Sequence, residues 1–281
     1  MTKAAILSDR TILKLSGPES PAFLQGLITS DVQKLRPANP IYAALLTPQG
    51  KIICDFLLSS VADDIYLDCA IARSVDLASR LKKYRLRAKV TIEDQSKSLV
   101  VLAASEAPRD PKLATTAFAD PRSAALGFRW IMSRENLDAS LAHLGIELEP
   151  GETYERHRIE CAIPDSVRDL QPETYFPLDC NFEELHGVDF EKGCYVGQEL
   201  TSRMKHRATS RRRILPVAAT EPLPPTGTRI VVGDIDVGEM LGSLGPNGLA
   251  QIRLDKLADA EFATAGALKI RIGRPPYPLT V

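Results

Sequence analysis

After Arg213 the chain changes grain, and this change constrains the fold more than any other feature of the sequence. The remainder breaks into strand-like runs at 214–217, 229–232, 237–242, 249–254 and 268–272, each four to six residues long. Pro222, Pro224, Pro225, Gly227, Gly245-Pro246 and Asn247-Gly248 punctuate them. Short strands with turns this frequent point to a small barrel. The first 207 residues follow another pattern. Runs at 12–15, 41–46, 52–59, 65–70, 86–92 and 99–104 read as strands. Pro18-Glu19-Ser20-Pro21 opens a helix through Phe23, Leu24 and Leu27, with Ser20 as its cap and Pro21 in its first turn. Residues 76–84 are helical by the spacing of Leu77, Leu81 and Tyr84, and residues 137–144 form a short helix closed by Gly145. The stretch 107–121, with three prolines, reads as a loop or domain edge. Periodicity alone therefore gives α+β followed by all-β.

Charge excludes some function classes. Thirty-five basic residues stand against 36 acidic ones. The whole molecule therefore has no reason to seek nucleic acid or an anionic membrane. No run approaches the roughly 18 apolar residues of a membrane span. The N-terminus lacks the apolar core of a secretory signal and turns acidic too soon for a mitochondrial presequence, so a cytoplasmic protein is expected. Five cysteines, Cys54, Cys69, Cys161, Cys180 and Cys194, are too widely spaced for a zinc ribbon, a ferredoxin or a disulfide framework. The chain is not expected to hold a complete iron–sulfur cluster alone. It carries no G-x-S-x-G elbow, no phosphate-binding loop and no H-E-x-x-H.

One stretch concentrates chemistry: Lys192-Gly193-Cys194-Tyr195-Val196-Gly197-Gln198-Glu199. A thiol stands close to two glycines, with Lys192 before it and Arg203, Lys205, His206 and Arg207 after it. Nearby positive charge favours the thiolate, the reactive and metal-binding form. Glycine lets a ligand or another backbone come near. The bland alternative is a small buried hydrophobe, the commonest fate of a free cysteine.

K-G-C-Y-V-G-Q-E followed by L-T-S-R resembles the signature of the YgfZ family, folate-binding proteins related to the T-protein (aminomethyltransferase) of the glycine cleavage system. Other blocks are similar to the same family: Ser16-Gly17-Pro18 leading to Phe23-Leu24-Gln25-Gly26 and Thr29-Ser30-Asp31-Val32, Thr47-Pro48-Gln49-Gly50-Lys51 through Asp55, and residues 81–87. Tyr154-Glu155-Arg156-His157-Arg158 with Ile163-Pro164 and Val167-Arg168-Asp169-Leu170 looks most like the branch containing the mitochondrial iron–sulfur assembly factor. The resemblance implies a T-protein-like ring of two interwoven α+β domains plus a small C-terminal β-barrel. Residues 1–47 and 145–207 would form a discontinuous folate-binding domain, 48–144 a second α+β domain, and 208–281 the barrel.

The resemblance also implies site residues. The T-protein family carries Gly-Gly and then an aspartate that contacts folate. Gly50 and Asp55 match this pattern, while Lys51 replaces the second glycine. A carboxylate there can hydrogen-bond the pterin or accept a proton; the alternative is a strand-end aspartate facing water. With Asp55, the expected folate-binding set is Arg158, Lys192, Gly193, Tyr195, Gly197, Gln198, Glu199 and Arg203, with Cys194 as reactive thiol and shared iron–sulfur ligand. The run 203–213 has no acidic residue and suits the glutamate tail of folate, an acidic carrier or a solvated linker. A second basic stretch, 80–89, reads as a surface helix entering a strand. No metal site is expected at His157 or His206, although either could titrate near neutral pH.

The implied function is that of a monomeric tetrahydrofolate-binding protein that assists assembly or repair of iron–sulfur clusters in client enzymes. A transient cluster would be shared with a partner such as an A-type carrier, without membrane or nucleic acid. The alternatives are a folate-dependent aminomethyl or one-carbon transferase using Asp55, and an RNA-binding module resting on Arg211-Arg212-Arg213.

Overall fold

The computed structural model describes residues 2–207 and 210–280. The chain forms two compact units. The first comprises Met1–Leu46, Cys54–Tyr154 and His186–Val196, the second Thr47–Ile53, Glu155–Leu185 and Gly197–Val281.

The first unit holds two five-stranded sheets. One runs in the order Ile41–Leu46, Ile52–Val61, Asp64–Ala70, Arg10–Ser16, Thr91–Asp94. The first eight residues of Ile52–Val61 are all buried, which puts the Asp55 carboxylate inside the protein. The other sheet runs Glu147–Glu149, Lys3–Ile6, Leu99–Ala104, Phe128–Ser133, Thr116–Ala119. Its Lys3–Ile6 strand pairs in parallel with Glu147–Glu149, so the N-terminal strand is woven into a sheet built otherwise from residues 99–149. The helix Ile71–Arg85 buries Ser74, Leu77 and Leu81, one stripe at helical spacing. Each of the two leucines contributes about 2 kcal/mol by leaving water.

Three expectations shift. Glu19, not Ser20, stands at the cap position of the helix Ser20–Gln25, and the Ser20 hydroxyl is buried without a hydrogen-bond partner. Glu19 instead accepts from the Lys89 amide at 2.9 Å. The expected strand at 86–92 starts late. Leu86 takes φ +46°, the Ala88 amide turns back to the Arg85 carbonyl, and only Thr91–Asp94 pairs. The proline-bearing stretch 107–121 is not all loop, since Thr116–Ala119 pairs as an edge strand, the position where nearby prolines are tolerated.

The second unit carries a closed barrel in the order Arg212–Ala218, Asn247–Arg253, Ile235–Leu244, Arg229–Val232, Phe262–Ala265, Leu268–Ile272. Its core includes Val217, Ile230, Val237, Met240, Ile252 and Ile270. Phe262–Ala265 is a sixth strand beyond the five expected from apolar runs. It is short and alanine-rich, but it closes the barrel and leaves no unpaired sheet edge.

Candidate functional site

The loop that carries Cys194 is sewn to the chain around the helix Ser20–Gln25. The Lys192 ammonium donates to three backbone carbonyls, those of Gln25 at 2.8 Å, Ile28 at 2.6 Å and Ser30 at 3.0 Å. It lies 4.9 Å from the centre of the Tyr195 ring, and Tyr195 is itself buried. The Val196 amide donates to the Gly26 carbonyl at 3.2 Å, and the Asp189 amide to the Thr29 carbonyl at 3.0 Å. Lys192 therefore does not offer its charge to a ligand or to the thiol as expected. All three of its protons are used inside the first unit, and burial pulls its pKa down to about 8 against the opposing charges of Asp31 and Asp189.

Between these anchors, Gly193 and Cys194 stand exposed. A Cβ at Gly193 would meet nothing within 4 Å, and Gly193 is not among the glycines with positive φ. The position is open space beside a thiol. The other four cysteines are buried. Burial pushes Cys69 up to about 12 and Cys54 and Cys180 well above an ordinary thiol. Cys194 is thus the one accessible thiol, and exposure rather than a ring of cations sets it apart.

Asp55 is buried, not facing water. Its Oδ2 accepts from the Tyr42 hydroxyl at 3.0 Å, while its Oδ1 has no hydrogen-bond partner. The Arg122 guanidinium lies 5.6 Å from the centre of the Tyr42 ring. Arg122 is in turn held by Asp120 at 2.7 Å and, with Arg129, donates to the Tyr154 hydroxyl. Arg129 also donates to Asp120, and Arg10 pairs with Asp68 at 2.7 Å. Burial opposes ionisation of Asp120, but the charges of Arg122 and Arg129 hold its carboxyl well below the usual range. This buried polar cluster has no signature in the sequence. Its members are scattered from residue 10 to residue 154, and no short motif joins them.

The remaining expected residues lie in the second unit. Arg158 is buried in the helix Gly151–Glu160, where its guanidinium donates to both carboxylate oxygens of Glu155, to Asp169 at 2.7 Å and to the Ile163 carbonyl. Burial opposes its charge, yet Asp169 and Glu155 hold its pKa well above the ordinary arginine value. Burial also works against ionisation of Asp169. With donors from Arg158, the Asp165 amide and the Gly242 amide on it, the carboxylate is the form this site is built for. Arg158 is spent on scaffolding.

Gly197, at φ +83°, caps the helix Gln198–His206, and Gly50, at φ +77°, packs beside it. A Cβ on Gly50 would stand 3.1 Å from the Gly197 carbonyl oxygen. Gln198 is half-buried, whereas Glu199 is exposed and pairs with Arg203 at 2.6 Å. The basic run is not a free cationic rim. Lys205 pairs with Glu183, Arg211 with Asp255, Arg213 with Glu184, and Arg212 donates to Gln251. Ala208 and Thr209 of that run lie outside the described residues.

The family described as the GCVT N-terminal domain matches residues 6–137, and that described as the CAF17 C-terminal beta-barrel domain matches residues 211–278. The chain is 33% identical to the mitochondrial iron–sulfur cluster assembly factor IBA57 homolog of Mycosarcoma maydis, over 93% of this chain and 67% of that protein. It is 33% identical to the Homo sapiens IBA57 protein, over 89% and 77%, and 30% identical to that of Mus musculus, over the same shares. Among solved structures it superposes on the glycine cleavage system aminomethyltransferase T of Bartonella henselae, with a TM-score of 0.76 over 98% of this chain and 86% of that one. At 15% identity that likeness establishes the T-protein fold alone. The relatives are named mitochondrial proteins, and this overturns the expectation of a cytoplasmic chain.

Proposed function

Because this chain belongs to the family of IBA57 iron–sulfur cluster assembly factors, we propose that it assists the assembly or repair of iron–sulfur clusters in client enzymes. Cys194 is the donor it offers to a cluster whose other ligands belong to a partner, such as an A-type carrier. The observation that carries this reading is that Cys194 alone among the five thiols is exposed. A thiolate is the soft ligand that iron in such clusters takes, and one thiolate completes a site only when a partner supplies the rest. Open space at Gly193 leaves room for that partner's approach.

Folate binding is the second part of the proposal. Asp55 Oδ1 is a buried acceptor without a donor, and such an atom calls for a partner. A reduced folate carries the N–H groups that satisfy it, so the residues present fit the group. Asp55 would hold the ligand, with Tyr42 fixing the carboxylate through Oδ2. What folate supplies when bound is a reduced pterin able to carry one-carbon units; the chain's own part is to hold and orient it.

The test separates assembly factor from transferase. A strain lacking this chain should lose activity in several iron–sulfur enzymes and keep glycine cleavage, and Cys194→Ser should fail to restore the lost activities. Loss of glycine cleavage with intact iron–sulfur enzymes would sink the proposal in favour of aminomethyl transfer. Calorimetric titration with tetrahydrofolate should give micromolar-scale affinity, about −8 kcal/mol. Asp55→Ala should weaken it, and Cys194→Ser should leave it nearly unchanged.

A further inference from the structure

The helix Ile71–Arg85 ends in a way that its own stability does not require. Helices commonly close on a glycine in the left-handed region, yet here Leu86 takes φ +46°. Its side chain is not rewarded with burial: Leu86 is 87% exposed. Tyr84, two residues before it, is 41% exposed. Val75, two helical turns before Lys82 on the same face, is 79% exposed. An apolar residue held in a strained backbone and turned into water is a feature that folding alone would remove.

Cations interleave with these apolar groups. Residues 80–90 contain Arg80, Lys82, Lys83, Arg85, Arg87 and Lys89 and no acid. Two are used internally, since Arg80 pairs with Asp76 and Arg85 donates to the Val90 carbonyl. Lys82, Lys83, Arg87 and Lys89 are exposed. Lys82 and Lys83 sit in the last helical turn, where the helix dipole favours them whatever the function. Arg87 and Lys89 lie past the helix, where that reason does not apply. The acids bordering the patch, Glu19 on the Lys89 amide and Asp94 in a shallow groove with Lys82 and Lys83, are outnumbered by its four exposed cations, so it stays net positive.

We propose that Tyr84, Leu86 and the Lys82, Lys83, Arg87 and Lys89 cations seat this protein on an anionic lipid surface. Leu86 enters the headgroup layer as a wedge, Tyr84 lies at its level, and the cations meet lipid phosphates while their aliphatic stems follow the apolar side chains inward. The composition favours lipid over an acidic protein, because lysine is depleted in protein interfaces and three of the four free cations are lysines. The contact is peripheral: among the described residues no helix is long and apolar enough to cross a membrane. The near-zero net charge that argues against a membrane averages over a patch segregated at one helix end.

The experiment is flotation of the full chain with vesicles of phosphatidylcholine alone or phosphatidylcholine with phosphatidylglycerol. Binding should require phosphatidylglycerol and weaken with salt. It should fall about fivefold for each cation removed, as in Lys83→Gln or Arg87→Gln. Leu86→Gly is the deciding variant. Glycine suits the left-handed backbone, so the thermal midpoint should rise, while the loss of the wedge should cut vesicle binding about tenfold. A purely structural Leu86 would give the rise without the loss. The proposal is overturned if the wild-type chain fails to float, if it floats equally with neutral vesicles, or if Leu86→Gly binds fully. Polyglutamate displacing the chain while Leu86→Gly stays bound would assign the patch to an acidic protein surface instead.

Discussion

At Cys194 the sequence showed where a thiol sits but not why it is singled out. Nearby cations suggested electrostatic activation, yet Lys192 turns inward, Arg203 answers Glu199 and Lys205 answers Glu183. In an irregular segment no periodicity reports which way a side chain points, so the inward turn of Lys192 was not legible. Two predictions follow from the geometry. Iodoacetamide at neutral pH should modify Cys194 alone in the native chain, and the four buried thiols only on unfolding, as read by peptide mass mapping. Equal labelling of a second cysteine would show that the burial is not maintained in solution. Lys192→Met strands the buried carbonyls of Ile28 and Ser30 and the part-buried one of Gln25, and should cost about 3 kcal/mol in denaturant melts. Its pH signature has a definite sign. The folded chain releases this proton near 8, and an unfolded lysine keeps it to 10.5. Between those values the unfolded state binds more protons, so the stability of wild type relative to Lys192→Met should grow as pH rises through the window. A gap that narrows would mean the three carbonyls, not burial, dominate the ammonium.

Elements with strong patterns were legible, and those fixed by tertiary partners were not. The strands Ile41–Leu46, Leu99–Ala104, Arg229–Val232 and Leu268–Ile272 match the apolar runs residue for residue, and Leu137–Leu144 ends on left-handed Gly145 as its sequence implies. Lys3–Ile6 and Phe262–Ala265 are strands because a neighbour completes their ladder, a cause no local window contains. The turn before Ile52–Val61 carries a prediction at this scale. Gly50 has φ +77°, and its Cβ position is 3.1 Å from the Gly197 carbonyl oxygen and 3.3 Å from Leu200 Cβ. Gly50→Ala therefore meets both backbone strain and a clash with the first turn of the helix Gln198–His206, and should cost roughly 2–3 kcal/mol. Gly193→Ala meets neither and should melt within about 0.5 kcal/mol of wild type. The two glycines look alike in the sequence, and thermal denaturation of the pair distinguishes them.

At the scale of the molecule, the two family matches cover residues 6–137 and 211–278, so the thiol loop and Arg158 fall in the segment between them. Resemblance proposed Arg158 as a ligand of folate; the structure makes it a junction of the second unit. Its guanidinium joins Glu155 on its own helix to Asp169, and the other oxygen of Asp169 accepts from the Gly242 amide in the barrel strand Ile235–Leu244 at 2.9 Å. There is no room to replace this contact, since a Cβ on Gly242 would come within 2.4 Å of that same carboxylate oxygen. Removing the arginine takes the buried counter-charge from Asp169 and leaves Glu155 with Arg168 alone, at 3.5 Å. Arg158→Met should therefore cost about 3–5 kcal/mol of stability. The scaffold and ligand roles predict opposite patterns. As a scaffold, Arg158→Met lowers the denaturation midpoint while the chains that remain folded bind tetrahydrofolate with unchanged affinity, a distinction calorimetry makes well below the midpoint. As a ligand, it weakens affinity tenfold or more, about 1.4 kcal/mol or above, with little loss of stability. The geometry selects the first outcome, and Asp169→Ala should reproduce it, because the same carboxylate ties Arg158 to the barrel.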